Sequence, residues 1–368
     1  MDRPLDAPLV FLPRLKERVW GGSFLRGRAP EAPAGPIGES WEICDREGDV
    51  SRTTDGVALD ELALRRGDDL MGAARDPRRP ELFPLLLKLI DASEDLSVQV
   101  HPDDEAAAPY GDSGKTEAWY VLDAAPGARV FRGLAPGAGR RELEEALAAG
   151  KVAGLLRAVP VARGDVVFVP AGTIHALGAG VRVVEFQQNS DLTFRVFDWN
   201  RLGLDGKART LHVAEAMAVA RFDDAGPDLA APLAGNEFAS AADRGGAAAA
   251  REGARRDVAL GGIEAAAREG ARRDVPLGGG ARGCRARRFV RHEALTLDVL
   301  DRFERPVELD TEGTRFHLLT VVAGEATIAA RGGCVRRGPL DSALVPAAAG
   351  RYELRAAPGS TILLASRP

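Results

Sequence analysis

The twelve residues from Gly164 to His175, GDVVFVPAGTIH, restrict the fold of this chain more than any other stretch. Gly164-Asp165 opens a strand, and VVFV is the unbroken apolar run of a strand buried on both faces. Pro170-Ala171-Gly172 then turns the chain, so that His175 re-enters a further strand facing inward. About sixty residues earlier lies a second constrained stretch, SVQVHPDDEAAAPYGDSGKTE, from Ser97 to Glu117. Gln99 and His101 stand two apart among Val98 and Val100, and side chains two apart on a strand share a face. Pro102 pushes the preceding backbone toward extended geometry and removes a ladder donor, so the strand should end just past His101. A loop of Asp, Ala, Pro and Gly leads to Lys115 and Glu117, again two apart, at the head of the strand-like AWYVL. Short strands thus deliver an amide, two imidazoles, a carboxylate and an ammonium toward one pocket, which is a metal-site composition beside a mobile cation.

At 368 residues the chain is too long for one small barrel and suits two domains with connecting material. Hydrophobic residues make up 45% but aromatics only 5%, so the cores must rest on Val, Leu and Ala. A net charge of −5 argues against a nucleic-acid or anionic-membrane surface, so an anionic ligand must be met by a few local cations. Three widely spaced cysteines, Cys44, Cys284 and Cys334, form neither a disulfide framework nor a Cys-x-x-Cys site, and a reducing cytoplasm is the expected setting. The first twenty residues carry Asp and Pro where a secretory signal needs a basic head and an apolar core, and no apolar run reaches membrane-spanning length.

Along the chain, GESWEIC (Gly38 to Cys44) alternates as a strand, and ALDELALRRG (58 to 67) reads as a short helix stopped by Gly67. FPLLLKLIDA (Phe83 to Ala92) reads as a strand buried on both faces, with Lys88 either snorkelling to the surface or touching a phosphate at a pocket wall. RELEEALAAGKVAGLLRAV predicts a helical insertion near 139–159, with Leu143 and Leu147 on one face and Gly150 as a stop. VVEF and TFRVF read as strands, Asp205-Gly206 as a hairpin turn, and the run after TLH as a helix. From about Asp223 the composition turns to Ala, Gly, Arg and Asp, and AAAREGARRDV occurs at Ala248 to Val258 and again at Ala265 to Val275. Each copy is too poor in large apolar residues to bury anything, so this stretch is expected to be a flexible or weakly helical linker. After it FHLLTVVAGEATI, ALVPAAAGRYEL and GSTILLAS read as strands of a second, smaller barrel. Its VPAAAGRY stands where the first has VPAGTIH, and without a histidine there this barrel is expected to be metal-free. His292 and His317 then read as surface or packing residues.

Gly, five residues, Pro, one residue, Gly, two residues, His is the spacing of the second signature motif of cupin barrels. With WGG (20–22), GESWEI (38–43), LSVQVHPDDE (96–105), GKTEAWYV (114–121), VPAGTIHALGAG (169–180), EFQQNSDLTFRVFDWNR (185–201) and GKARTLH (206–212), the chain resembles a type I mannose-6-phosphate isomerase of the short bacterial class. The motifs run in order from Trp20 to His212, and the C-terminal part resembles the family more loosely. The resemblance implies a mainly β protein of two cupin (jelly-roll) barrels: a catalytic domain over 1–222 with the helical insertion, a low-complexity linker over 223–285, and a metal-free cupin-like domain over 286–368.

Carried over from the family, the metal ligands are Gln99, His101, Glu117 and His175, which agrees with the reading of the residues themselves. The set suits Zn²⁺, with Mn²⁺, Co²⁺ or Fe²⁺ as substitutes. The implied reaction interconverts mannose 6-phosphate and fructose 6-phosphate through an enediol, which needs a base near the sugar carbon and positive charge at the developing oxyanion. Arg195 matches the family's catalytic arginine, Lys115 the lysine of the K-x-E motif, and Glu185 a pocket carboxylate that either shuttles the proton or orients Arg195. Arg201 is the first candidate for the phosphate, followed by Ser97 and Lys88. A capping or packing role is expected for His212, and loop-forming roles for Asp103 and Asp104. The expected partner is a small sugar phosphate, with no nucleic acid and no membrane, on a monomer or weak homodimer. The rivals are a non-catalytic sugar-phosphate or metal sensor on the same barrels, against which Lys115, Arg195 and Glu185 all speak, and an enzyme of other chemistry on the same barrel, such as an epimerase or a metal-dependent dioxygenase, the latter disfavoured by Gln99. A guanylyltransferase half is excluded by length and by the lack of a Gly-rich nucleotide loop at the N-terminus.

Overall fold

The computed structural model describes residues 4–223, 226–233 and 283–368. Eleven strands form the first unit: β1 (Arg14–Gly22), β2 (Ile37–Ile43), β3 (Leu85–Ala92), β4 (Val98–Val100), β5 (Glu117–Ala124), β6 (Arg129–Leu134), β7 (Leu156–Pro160), β8 (Val166–Val169), β9 (His175–Leu177), β10 (Val181–Gln188) and β11 (Phe194–Phe197). They pair into a six-stranded sheet ordered β1-β2-β3-β10-β5-β8 and a five-stranded sheet ordered β11-β4-β9-β6-β7. Two further sheets, of five and four strands, are built from the described residues between Arg285 and Ser366. Every strand pairing in these sheets is antiparallel. The two pairs of sheets are the two jelly-roll barrels of a mainly β, cupin-type fold.

Strand β3 is buried at all eight positions, because it lies centrally between β2 and β10 and meets side chains on both faces. The second pair of sheets packs on the first through a shared apolar core that includes Phe83, Leu85, Phe289, Phe316 and Leu344. Phe83 and Phe316 meet with ring centroids 4.6 Å apart. In the second barrel His317 is buried and its Nδ1 lies 2.8 Å from the Tyr352 hydroxyl, while His292 is half-buried with its ring 5.5 Å from Phe168.

The helices differ from expectation at their ends. Helix α1 runs Leu59–Met71, past Gly67, and stops at Gly72, whose positive φ of +61° gives the glycine stop that Gly67 was expected to provide. The axis is interrupted at Arg66 (φ −132°, ψ 28°), and helix resumes because Leu70 and Met71, both with no exposed surface, add another buried turn to the core. A single turn, α2 (Asp104–Ala107), follows β4, and the Asp103 side chain accepts from Ala106 N–H as its cap. The insertion holds helix α3 only over Arg140–Ala149, ended by Gly150 at φ +66°. The remainder of the expected helical insertion is a short 3-10 turn and then β7, because Leu156 and Val159 bury opposite faces of an edge strand paired with β6, Leu156 in the core with Phe131 and Leu143 and Val159 in the core with Val130 and Leu177. Asp205-Gly206 does turn the chain, but it closes an isolated Leu202–Ala208 pairing instead of a hairpin of strands. Helix α4 spans Val213–Val219. Both copies of the Ala/Arg repeat lie outside the described residues.

The WGG and GES motifs are explained by a close backbone crossing of β1 and β2. A Cβ on Gly21 would lie 2.4 Å from Gly38 N, and one on Gly38 would lie 2.6 Å from the Trp20 ring. Neither strand can withdraw without losing its register with β3. Gly21→Ala should therefore cost about 1–3 kcal/mol through overpacking, read as a fall in melting temperature against the parent chain.

Candidate functional site

Antiparallel partners in register project to the same face, so each sheet carries a row of side chains across it. On the six-stranded sheet the row is Trp41, Lys88, Glu185 and Trp119, from β2, β3, β10 and β5. Glu39 and Glu117 stand two residues from Trp41 and Trp119 on the same face. On the five-stranded sheet Arg195, Gln99 and His175 are in register across β11, β4 and β9. The two faces oppose one another across a cleft of about 690 Å³.

Glu117 lines this cleft and meets His101 and His175 behind it, with one potential ligand atom from each lying within 4.8 Å of the others, and all three are buried. Among the described residues this is the group of His, Cys, Asp or Glu close enough to hold a metal ion. Strand β4 ends at Val100, one residue earlier than expected, so His101 hangs just beyond it. His101 Nδ1 is 3.0 Å from the Leu192 carbonyl, and His175 Nδ1 is 2.8 Å from the Thr173 carbonyl. A carbonyl only accepts, so each Nδ1 carries the proton and each Nε2 lone pair is left to face the site. His101 Nε2 lies 3.2 Å from Glu117 Oε1, and His175 Nε2 lies 3.7 Å from Glu117 Oε2. Burial, with Lys115 nearby, pushes His101 down to about 3, and burial lowers His175 as well, so both rings are neutral as ligands require. The Gln99 amide lies 3.4 Å from His175 Nε2, and a half-turn about its last bond exchanges the amide nitrogen and oxygen at that place.

Two imidazoles, a carboxylate and an amide oxygen fit a divalent first-row ion. Glu117 Oε1 supports the fit directly, being a buried oxygen that accepts no hydrogen bond. Lys115 Nζ stands 3.1 Å from that oxygen and 3.3 Å from His101 Nε2. Burial alone would raise Glu117, but Lys115, His101 and His175 outweigh it and hold the carboxyl well below the usual range.

Glu185 has the opposite fate. Burial and the Glu117 charge raise it to about 7 against the pull of Lys88 and Lys115. Trp119 donates its indole N–H to Glu185 Oε1 at 2.8 Å and to Glu117 Oε2 at 3.1 Å. Lys88 is buried under the Trp41 ring, 5.0 Å from its centroid and 3.5 Å from Glu185 Oε2, so it does not snorkel to the surface. Glu39 accepts from Arg18 and from Trp41 Nε1, both at 2.8 Å.

Arg195 lines the cleft and donates to the Thr210 carbonyl at 2.8 Å, leaving its buried Nε without a hydrogen-bond partner. Ser97 and Lys88 also line the cleft, whereas Arg201 is turned to Asp198 and to the Asp95 carbonyl and does not. Arg18 and Arg209 occupy cleft wall that the sequence reading left unassigned. Arg209 lies in the GKARTLH motif and shares Asp198 with Arg201, so that motif was the signal that could have found it. His212 lines the cleft too; it precedes α4 without a side-chain cap, and its Nδ1 accepts from Arg195 N–H at 3.3 Å. Asp104 Oδ1 accepts from Gly114 N–H and from the Gln188 amide, a loop-holding role as expected.

Fold and site together define a cupin-type, two-barrel enzyme class with a buried His-Glu-His cluster in the first barrel that could hold a metal ion. The sequence model of "Phosphomannose isomerase type I, catalytic domain" matches residues 10–123. Mannose-6-phosphate isomerase ManA of Bacillus subtilis is 39% identical over 218 residues, covering 58% of this chain and 67% of the relative. The mannose-6-phosphate isomerase of Streptococcus mutans is 38% identical over 218 residues with the same coverage. The crystal structure of mannose 6-phosphate isomerase from Bacillus subtilis aligns with a TM-score of 0.73 over 98% of this chain and 99% of that one, at 27% identity. The chain belongs to the type I phosphomannose isomerase family.

The buried charges set an acid response. Burial tends to raise Glu39, but Lys88, Arg18 and the Trp41 N–H outweigh it and bring it from 4.5 to about 2. A carboxyl depressed in the folded state stabilises the fold above its unfolded pKa, and the effect is lost as pH falls from 4.5 through 2. That is about 3 kcal/mol in the wild-type chain. Urea unfolding between pH 5 and 2 should show the Glu39→Gln variant losing less stability with acid than the parent.

Proposed function

We propose that this chain is a Zn²⁺-dependent aldose-ketose isomerase that interconverts mannose 6-phosphate and fructose 6-phosphate through an enediol. The observation that carries the reading is that Glu117, clustered with His101 and His175, lines one cleft together with Gln99, Lys115, Glu185 and Arg195 in a member of this family. Mn²⁺, Co²⁺ or Fe²⁺ would suit the same nitrogen and oxygen donors less selectively. We assign catalysis to residues 1–222 and a scaffold role to 286–368. The three free cysteines support a reducing, cytoplasmic setting, and among the described residues no helix is long and apolar enough to cross a membrane.

When bound, the ion supplies orientation and positive charge toward the sugar oxygens at C1 and C2. The chain's own residues do the rest. Glu185, raised to about 7, can accept a proton from one sugar carbon and return it to the neighbouring one near neutral pH, which is the proton transfer an enediol requires. Its link to Trp119 keeps the carboxyl aimed into the cleft. Arg195 offers a guanidinium whose buried Nε has no protein acceptor, which suits it to the charge that develops on the enediolate oxygen. Lys115 adds a second cation beside the ligands and keeps Glu117 ionised. For the phosphate, Ser97 and Lys88 line the cleft with Arg18 and Arg209, and Arg201 acts from behind by sharing Asp198 with Arg209.

Purified protein should convert mannose 6-phosphate to fructose 6-phosphate, lose the activity on chelation and regain it with Zn²⁺. A folded, zinc-loaded chain that gives no turnover would overturn the isomerase reading and leave a sugar-phosphate sensor in its place. Arg195→Ala should lower kcat by about 10²–10³ if the guanidinium meets the oxyanion. Its Zn²⁺ content should match that of the parent chain.

A further inference from the structure

Trp119 touches more of the site than any role so far assigned to it explains. It is 1% exposed, sits two residues along β5 from Glu117, and faces Glu185 in register across the β5–β10 pairing. One indole N–H serves two carboxylates from neighbouring strands, Glu185 Oε1 at 2.8 Å and Glu117 Oε2 at 3.1 Å. The edge of the same ring packs against His175, with centroids 5.5 Å apart and planes at 66°.

We infer that Trp119 is a positioning residue for the metal ligand Glu117, fixing through its N–H which carboxylate oxygen is left to bind the ion and tying that carboxylate to Glu185. The inference rests on the reading that this cluster holds a divalent ion. An indole N–H is a donor only, and its direction is set by a rigid ring. With Oε2 committed to it, the Glu117 carboxylate cannot rotate freely, and Oε1 is presented toward His101 Nε2 at 3.2 Å without a hydrogen-bond donor of its own. The shared donor also places a positive hydrogen between two carboxylates that would otherwise repel each other in a buried space. Lys115 Nζ already stands 3.1 Å from Oε1, so the contact to Oε2 is the one that orients the carboxylate. An indole supplies the contact without a net charge. Its packing on His175 lets the same side chain steady a second ligand.

Loss of such an outer partner lowers metal affinity about 10–100-fold in comparable sites. The test is the Zn²⁺ dissociation constant of the full chain, measured by competition with a chromophoric chelator, for the parent, for Trp119→Phe, and for a chain carrying 3-benzothienylalanine at position 119. That last residue keeps the bicyclic shape and puts sulfur where the N–H was. The expected result is a dissociation constant raised about 10–100-fold in both variants, with the benzothienyl chain, free of metal, melting at the parent temperature. If Trp119→Phe does not fold, the benzothienyl chain decides alone. An unchanged dissociation constant in a folded variant overturns the positioning role and leaves the metal site standing. A parent chain that binds no Zn²⁺ overturns the metal site and this inference together.

Discussion

An ionised carboxylate in the middle of a β-barrel is the constraint on which the first half of this molecule depends. Glu117 is 1% exposed, and burial on that scale favours the protonated acid unless cations and donors surround the charge. The barrel meets that requirement from several directions: Lys115 from the loop just ahead of β5, His101 from just beyond β4, His175 from β9 and Trp119 from one pleat away. Each of those partners needs an interior position of its own, and so the opposing sheets are filled with polar groups where an ordinary barrel would hold Val and Leu. The arrangement is one of alternating signs, with Glu39, Lys88, Glu185, Glu117 and Lys115 each set near an opposite charge.

The same environment drives two neighbouring carboxyls apart. Glu117 has two imidazoles and an ammonium close by and stays ionised, while Glu185, pushed up by burial and then by the Glu117 charge, rises to about 7. A pair of acids separated in this way can divide two tasks, one holding a cation and the other exchanging a proton. The indole of Trp119 stands between them and is shared by both. Register between strands is what makes this possible, since a one-residue slip of β5 would turn Glu117 and Trp119 outward together.

Much of the site was readable from spacing. The spacing of two pointed to Gln99 with His101 and Lys115 with Glu117, although His101 follows β4 and Lys115 precedes β5, and the turn at Pro170 to Gly172 was enough to bring His175 inward. Element ends were less readable. Gly67 looked like a helix stop because glycine ends helices, but burial of Leu70 and Met71 continued α1 to Gly72. The end of the insertion expected near 139–159 was read with its helix, but pairing with β6 made Leu156–Pro160 a strand, with Leu156 and Val159 buried on opposite faces.

The sequence by itself determined the residue types of the site and the turn and strands that lead to them, because these follow from local rules of pleat and turn. Tertiary structure alone decided which cations face the cleft. Arg18, Arg195, Arg201 and Arg209 are chemically alike, yet Arg201 is turned to Asp198 and the Asp95 carbonyl, while the other three line the wall. It also decided that Lys88 belongs to a buried ion network and that Trp119 is shared by two acids. The physical reason is that a long side chain reaches about as far as the distance between strands, so its partner is fixed by how the sheets pack and not by its neighbours in sequence.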